Sequence, residues 1–172
     1  TGDTINLSIG QGFLTTTPMQ LVNLVAMIAN GGKKIKPHLI QGQGIENPPS
    51  LGLNKWHLSL VKSGMNMVVN NIKGTAYKAR INVNGMKMAG KTASTQGRRI
   101  PKKEREKGVI SQDKLPWKYR DHAMFAAFAP VDKPEYAVIV MVEHGGGGAT
   151  SAAPKAGVIL KEVLALGLDT IQ

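Results

Sequence analysis

The sequence contains no cysteine among its 172 residues. Disulfide-stabilised scaffolds, zinc sites built on cysteine and thiol nucleophiles are therefore excluded. No apolar run approaches the roughly 18 residues of a membrane-spanning helix, so we expect no transmembrane segment. The chain begins without Met and without a signal peptide, at Thr1-Gly2-Asp3-Thr4. We expect it to be a segment of a longer protein.

Acidic residues are scarce, since 11 acidic side chains accompany 22 basic ones and leave a formal charge of +11. The basic residues are concentrated between residues 87 and 120. Such a stretch can form a positively charged surface that binds nucleic acid, so a basic nucleic-acid-binding module is kept as an alternative. A solvated loop explains the stretch better, because residues 98–113 are nearly all polar and no aromatic residue is interleaved before Trp117. We expect no nucleic-acid partner.

Two helices are predicted in the first half of the chain. Thr17-Pro18-Met19-Gln20 combines a capping residue, a proline at the first helical position and a capping box. Apolar residues then lie nearly all round the helix, which predicts a buried helix ending at Asn30-Gly31-Gly32. Asn54 is predicted to cap a second helix, whose apolar residues recur every three or four positions up to Gly74. Between the helices we expect a short strand at Ile35 to Ile40, followed by loop.

The second half of the chain has the pattern of an antiparallel sheet. Short runs rich in β-branched and aromatic residues predict three strands that pair in sequence order. They lie near residues 86–96, 121–129 and 135–142. After four glycines, Thr150 or Ser151 is predicted to cap a final helix that ends at Gly167. A length of 172 residues suggests one domain, and the predicted fold class is α+β, an antiparallel sheet flanked by helices.

Residues 85–92 match the phosphate-binding P-loop pattern G-x-x-x-x-G-K-[ST], which ends here at Lys91 and Thr92. A P-loop follows a buried strand and opens a helix whose N-terminus holds the phosphates. Here the preceding residues 78–84 are polar, and Gly97 comes too soon for a helix of normal length. A P-loop nucleotide-binding protein is therefore kept only as an alternative.

The same residues fit better as a strand, Met88 to Gln96, that carries Lys91-Thr92-Ala93. This strand resembles the Lys-Thr-Gly box of penicillin-binding proteins and serine β-lactamases. Five further segments resemble class B penicillin-binding proteins of the elongation type. They are Ser8-Ile9-Gly10-Gln11-Gly12, Thr17-Pro18-Met19-Gln20-Leu21, Lys73-Gly74-Thr75-Ala76, Pro134-Glu135-Tyr136-Ala137-Val138, and Val142-Glu143-His144 before four glycines. The likeness runs from about residue 2 to residue 166.

The resemblance implies the C-terminal portion of a β-lactamase/transpeptidase-like fold and a peptidoglycan D,D-transpeptidase for cell-wall cross-linking. In that family a Ser-x-x-Lys serine attacks the substrate carbonyl, a Ser-x-Asn motif lies across the groove, and the Lys-Thr-Gly strand forms the far wall. The implied partners are peptidoglycan stem peptides and β-lactams, and no cofactor is implied. The implied location is the periplasmic face of the bacterial cytoplasmic membrane, with no membrane contact from this segment.

Five residues of the box receive roles from the resemblance. Lys91 would supply positive charge and a hydrogen bond near the nucleophile, and the Ser94 backbone N–H would complete the oxyanion hole. Thr92 would bind the substrate carboxylate, and Thr95 would line the same wall. Ala93 stands where the family has Gly, so we expect an impaired substrate fit without loss of the fold.

The nucleophile motifs are not found where the family has them. Ser59-Leu60-Val61-Lys62 lies within the second helix and Ser111-Gln112-Asp113-Lys114 follows the box, so neither is expected to supply the nucleophile. No Ser-x-Asn occurs, and the four histidines show no metal-ligand spacing. We therefore expect residues 1–172 to be the C-terminal part of a transpeptidase domain that is inactive without its N-terminal half. Its helical part would span about 1–80, and its three strands and last helix about 85–167.

Overall fold

The structure is a computed structural model that describes residues 2–8, 10, 12, 14–40 and 47–169. Ile9 and Gln11 of the N-terminal motif, and the loop predicted over residues 41–46, lie outside these ranges. In chain order the elements are α1 (Gly2–Ser8), α2 (Pro18–Ala29), α3 (Lys55–Asn70), β1 (Ala89–Thr95), α4 (Lys102–Lys107), β2 (His122–Ala129), β3 (Tyr136–Val142) and α5 (Ala153–Asp169). A π-helical turn, Gly148–Ala152, leads into α5. Of the helices that the structure describes, none is long and apolar enough to cross a membrane.

Helix α2 begins at the predicted capping box. Thr17 Oγ1 accepts a hydrogen bond from Gln20 N at 3.2 Å, and Gln20 Oε1 accepts one from Thr17 N at 2.8 Å. The prediction that this helix is buried is wrong. Of its twelve residues, all of them described, Val25 and Ala29 are buried, whereas Leu24 is 50 % exposed. The reason is that the sheet covers only one stripe of α2, and Leu21, Leu24 and Ile28 border an open cavity.

The strand predicted at Ile35 to Ile40 is also wrong. Around this segment the described chain forms only an isolated antiparallel bridge between Lys33 and Ser50. A strand needs a partner along its length, and Pro37 cannot donate a hydrogen bond to one.

Helix α3 is capped by Asn54, as predicted, since Asn54 Oδ1 accepts a hydrogen bond from Trp56 N at 2.8 Å. The helix ends at Asn70, before the predicted stop at Gly74. The chain then folds back on the last helical turn, where Ala76 N donates to Val68 O at 3.0 Å. This fold-back, residues 71–76, follows the end of α3, and α3 itself packs against β1.

In the described part of the chain, the strands form an antiparallel sheet in the order β1-β2-β3. The β1–β2 register runs from Ala89↔Phe128 to Thr95↔His122, and the β2–β3 register from Ala123↔Val142 to Ala129↔Tyr136. The predicted strands, their order and their antiparallel pairing are confirmed.

The sheet lies between two layers of helix. Successive side chains of a strand point to opposite faces, so neighbouring β2 residues belong to different cores. Phe125 is buried in one cluster with Leu160 of α5. Phe128, on the other face, is buried with Val25 of α2 and Met65 of α3. This helix–sheet–helix arrangement confirms the α+β prediction.

The start of α5 differs from the prediction, because neither Thr150 nor Ser151 caps the helix. Thr150 Oγ1 donates to Gly147 O at 3.1 Å, and Ser151 Oγ donates to Gly145 O. Both hydroxyls therefore bind carbonyls of the glycine run and close the π-helical turn, instead of accepting from the first N–H groups of α5.

The end of α5 differs as well, because the helix continues through Gly167 to Asp169. A glycine in a helix costs about 1 kcal/mol relative to alanine, which a packed helix tolerates. A Cβ at position 167 would lie 3.2 Å from Tyr136 Oη, so the missing side chain leaves room for that hydroxyl.

The basic stretch was predicted to be loop, and this prediction is wrong over α4. Glu104 of α4 organises the segment, because its carboxylate accepts from Arg98 Nη1 at 2.8 Å and from Ile110 N at 3.1 Å. The hydrogen bond from Arg98, then that from Ile110, lowers the pKa of Glu104 from 4.5 to about 2. The pKa of Arg98 is raised in return. The ion pair therefore links Arg98, which follows β1, to Glu104 of α4 within the connection between β1 and β2.

Candidate active site

Strand β1 carries the five predicted site residues, Lys91 to Thr95, at the border of the sheet. In the part of the chain that the structure describes, β1 pairs with β2 and no strand pairs with its other edge. Because side chains alternate, Lys91 and Ala93 border the cavity next to α2 and α3, and Thr92 points to the opposite face. The five residues are contiguous but do not share one face. What they share is the free edge of β1.

The Lys91 side chain is exposed and bends back onto its own strand. Its Nζ donates to Thr92 O at 2.6 Å. Since a carbonyl within the β1–β2 ladder already has a backbone partner, we expect Thr92 O to point to the free edge, away from β2. In an antiparallel strand the backbone groups of alternate residues point the same way. We therefore expect the Ser94 N–H to point to the same free edge as Thr92 O.

The remaining residues of the box lie farther along the strand. Ala93 is opposite Met124 in the register, and its methyl borders the cavity beside Lys91. Ser94 and Thr95 are exposed. The strand therefore presents an ammonium, hydroxyls and backbone groups that no described strand pairs, within a few residues of one another, which is suited to an anionic or carbonyl-containing ligand.

An apolar cavity of about 550 Å³ adjoins this edge, between α2, α3 and the sheet. Its walls are aliphatic side chains, with Lys91 as the charged group. The lining residues are Leu21, Leu24, Val25, Ile28, Val61, Gly64, Met65, Val68, Lys91, Ala93, Met124, Ala126 and Ile139. Contiguous exposed apolar surfaces of this kind mark ligand-binding grooves or surfaces that another protein segment covers.

Two glycines support β1, and the sequence analysis gave neither a role. A Cβ at Gly90 would lie 2.4 Å from Phe125 Cζ. A Cβ at Gly148 would lie 2.6 Å from Ala93 O and 2.4 Å from Met124 O. The π-helical turn therefore rests directly on the backbone of the site strand. The run of four glycines, Gly145 to Gly148, was the available signal for the second of these contacts.

Thr75 was also missed as a neighbour of the box, although its segment was noted for its resemblance. Its Oγ1 lies 3.2 Å from Thr92 Oγ1, a hydrogen-bond distance between two residues 17 positions apart. No local pattern in the sequence reports such a contact.

A cluster of two histidines and a tryptophan lies at the end of the sheet where β1 ends and β2 begins, since His122 is opposite Thr95 of the box in the register. His144, in a left-handed conformation with φ of 52°, donates from its backbone N to His122 Nδ1 at 3.1 Å. Its ring Nδ1 lies 3.0 Å from Arg120 O, and Trp117 packs edge-on against it. The cluster fastens the turn after β3 to the start of β2, so its contacts are structural.

The two Ser-x-x-Lys matches lack the geometry of a nucleophile and its base. Ser59 Oγ donates to Trp56 O at 2.7 Å, and Lys62 Nζ donates to Ala29 O at 3.1 Å. Ser111 precedes a 3₁₀ turn in the connection between β1 and β2. The P-loop interpretation is wrong, because strand β1 runs through Lys91 where a P-loop requires a helix.

Residues 1–165 match the sequence profile of the penicillin binding protein transpeptidase domain. The chain belongs to this family. Its α+β architecture is that of a transpeptidase domain segment. The comparisons give no support to the nucleotide-binding and nucleic-acid alternatives.

Individual transpeptidases show the same likeness. The peptidoglycan D,D-transpeptidase MrdA of Haemophilus influenzae is 37 % identical over 167 residues, which are 90 % of this chain and 25 % of that protein. The PBP2 structure in the complex of PBP2 and MreC from Helicobacter pylori matches with a TM-score of 0.78 and 29 % identity, over 97 % of this chain and 28 % of that one. Pseudomonas aeruginosa PBP2 in complex with WCK 5153 matches with a TM-score of 0.69 and 34 % identity, over 91 % and 31 %. The chain thus spans about a quarter to a third of the length of these relatives.

Proposed function

We propose that this chain forms the substrate-binding wall of a peptidoglycan D,D-transpeptidase of the class B, elongation type. The observation that carries the proposal is the free edge of β1, where Lys91, Thr92 and Ser94 lie together in a member of the transpeptidase family. The serine nucleophile and its lysine base would come from the N-terminal part of the longer protein. The enzyme would act on the periplasmic face of the bacterial cytoplasmic membrane.

Each residue of the substrate-binding wall would have its own role in acyl transfer. The serine Oγ attacks the carbonyl carbon of the penultimate residue of a stem peptide, and its proton passes to the base. The tetrahedral intermediate collapses to an acyl-enzyme as the base returns the proton to the nitrogen of the terminal D-amino acid, which leaves. The amine of a second stem peptide then attacks the acyl-enzyme and releases the serine with the cross-link formed. The Ser94 N–H would donate to the oxyanion of that intermediate. Thr92 would bind the terminal carboxylate, with Thr95 farther along the same strand. The Lys91 ammonium would stabilise negative charge on the substrate and favour the proton transfer.

The apolar cavity supports the assignment of an N-terminal partner segment. Aliphatic side chains of α2 and α3 border it on one side and those of β2 and β3 on the other. Burying such a surface stabilises a domain by about 25 cal/mol for each Å² removed from water. We propose that the N-terminal half of the transpeptidase domain packs here and brings its serine beside Lys91 at the rim of the cavity.

Labelling with a fluorescent penicillin tests the proposal. The longer protein that contains this chain should form a one-to-one covalent adduct, because a β-lactam acylates the same serine as the substrate. Intact mass and peptide mapping should place the adduct on a serine outside residues 1–172. The isolated chain should form none, and Ala93→Gly should not restore one, because oriented donors without a nucleophile cannot be acylated.

Two results would contradict the proposal. The first is a longer protein that is not acylated although it is folded. The second is a stoichiometric adduct on Ser59, Ser111 or another serine of this chain. It would show that this chain itself supplies the nucleophile and not only the substrate-binding wall.

A further inference from the structure

The fold-back after α3 holds Thr75 in a fixed place. Gly74 N donates to Asn71 O at 2.8 Å, and Ala76 N donates to Val68 O at 3.0 Å. A Cβ at Gly74 would lie 2.3 Å from Val68 O, so the chain lies directly against the carbonyls that end α3. Ala76, the next residue after Thr75, is 1 % exposed. The backbone of Thr75 is therefore anchored on both sides, while its own side chain is exposed.

From this anchor the Thr75 hydroxyl reaches the site strand. Thr75 Oγ1 and Thr92 Oγ1 are 3.2 Å apart, and either atom can be the donor. A hydroxyl has a single proton to donate but can accept on its lone pairs. If Thr92 donates its proton to a ligand carboxylate, Thr75 has to donate to Thr92. The second hydroxyl then fixes the rotamer of the first and polarises it.

We propose that Thr75 is a positioning residue for Thr92, which it holds in the orientation that binds a carboxylate-bearing substrate. This role rests on the proposed function, because it assumes that Thr92 receives the carboxylate. Stability should depend little on the Thr75 hydroxyl. It is exposed, so its loss leaves no buried polar group without a partner, and the anchoring bonds are made by the backbone of its neighbours.

The test uses the longer protein that contains this chain, with two changes at one position. Thr75→Val keeps the shape and removes the hydroxyl, whereas Thr75→Ser keeps the hydroxyl. The second-order rate constant of acylation is measured with benzylpenicillin and with its methyl ester, which lacks the charged carboxylate. Thr15→Val, an exposed threonine outside the site, serves as the control.

Thr75→Val should lower the rate constant for benzylpenicillin about three- to tenfold, the range of one neutral hydrogen bond. The rate constant for the ester should not change, and Thr75→Ser and Thr15→Val should stay within about twofold of the wild type for both probes. In a Thr92→Val background, Thr75→Val should have no further effect, since the two hydroxyls act as one unit.

The outcomes separate this role from the proposed function. If Thr75→Val lowers the rate constant of acylation equally for benzylpenicillin and for its methyl ester, the effect is structural and the positioning role is overturned. An unchanged rate constant in Thr75→Val would overturn it too, while the proposed function stands. A folded wild-type protein that neither probe acylates would overturn the proposed function, and the role of Thr75 with it.

Discussion

Replacing Gly148 with alanine should loosen strand β1, because Gly148 rests on the backbone of that strand. An added Cβ would lie 2.4 Å from Met124 O, 2.6 Å from Ala93 O and 3.1 Å from Ala93 N. Ordinary contacts of a Cβ are 3.4–4 Å, so the π-helical turn and the sheet would have to separate by about 1 Å. All three neighbours are backbone atoms, which cannot turn aside as a side chain can.

The neighbouring glycine provides a matched control. Overpacking a well-packed core costs about 1–3 kcal/mol, and we expect Gly148→Ala to reach the upper end, about 3 kcal/mol. Gly147 has an extended backbone that any residue adopts, with φ of −101° and ψ of 132°. Its added Cβ would meet Thr150 Oγ1 at 3.1 Å, a side-chain atom that can shift by a few tenths of an ångström, at most at the expense of its exposed hydrogen bond to Gly147 O. Gly147→Ala should therefore change the stability by less than about 1 kcal/mol.

Urea unfolding of the two variants, followed by circular dichroism in the longer protein, distinguishes these expectations. With a denaturant slope of about 1–3 kcal/mol per molar, Gly148→Ala should lower the midpoint by roughly 1 M or more. It should also slow acylation by a penicillin, because the displaced backbone carries the Ser94 N–H. Equal midpoints for the two alanine variants would refute the argument that Gly148 supports β1.

Two further predictions concern the box and the connection that follows it. Ala93→Gly in the longer protein should raise the rate constant of acylation about tenfold, the lower end of the range for one methyl group in a pocket. An unchanged rate constant would show that the methyl of Ala93 does not crowd the ligand. For the ion pair, the Ile110 amide chemical shift should titrate with a midpoint near pH 2, the depressed pKa of Glu104. The stabilisation by this ion pair is present above the ordinary pKa of Glu104, 4.5, and is lost as the pH falls through about 2. The titration should be absent in Glu104→Gln, and a midpoint near 4.5 would contradict the pairing of Glu104 with both Arg98 Nη1 and Arg98 Nη2.

Features that depend on local chemistry could be predicted from the sequence. The capping box at Thr17 and Gln20 and the cap at Asn54 use side chains that bind backbone groups two or three residues away. The strands were recognisable because short apolar runs are bounded by turn residues. Lys91 to Thr95 were singled out from a short box whose surroundings resemble a known family, and the structure confirms the strand conformation of the box.

Features that depend on distant partners could not be predicted. The apolar pattern of α2 is that of a buried helix, but burial requires a neighbour, and part of its surface borders a cavity. The hydrogen-bond distance between Thr75 and Thr92, and the support that Gly148 gives to Ala93, join residues far apart in the chain. The strand expected at Ile35 to Ile40 also depends on a distant partner, and among the described residues this region forms only the isolated bridge between Lys33 and Ser50.

The free edge of β1 has a consequence for how this chain behaves in concentrated solution. Unpaired backbone groups at a sheet edge are a template for a strand of another molecule, and an extended peptide ligand uses the same groups. Recognition and self-association therefore compete for one surface. Lys91 reduces self-association, because it places a positive charge on the edge and its Nζ already donates a hydrogen bond to Thr92 O. We therefore expect this one lysine to disfavour aggregation at the edge that is proposed to bind the ligand.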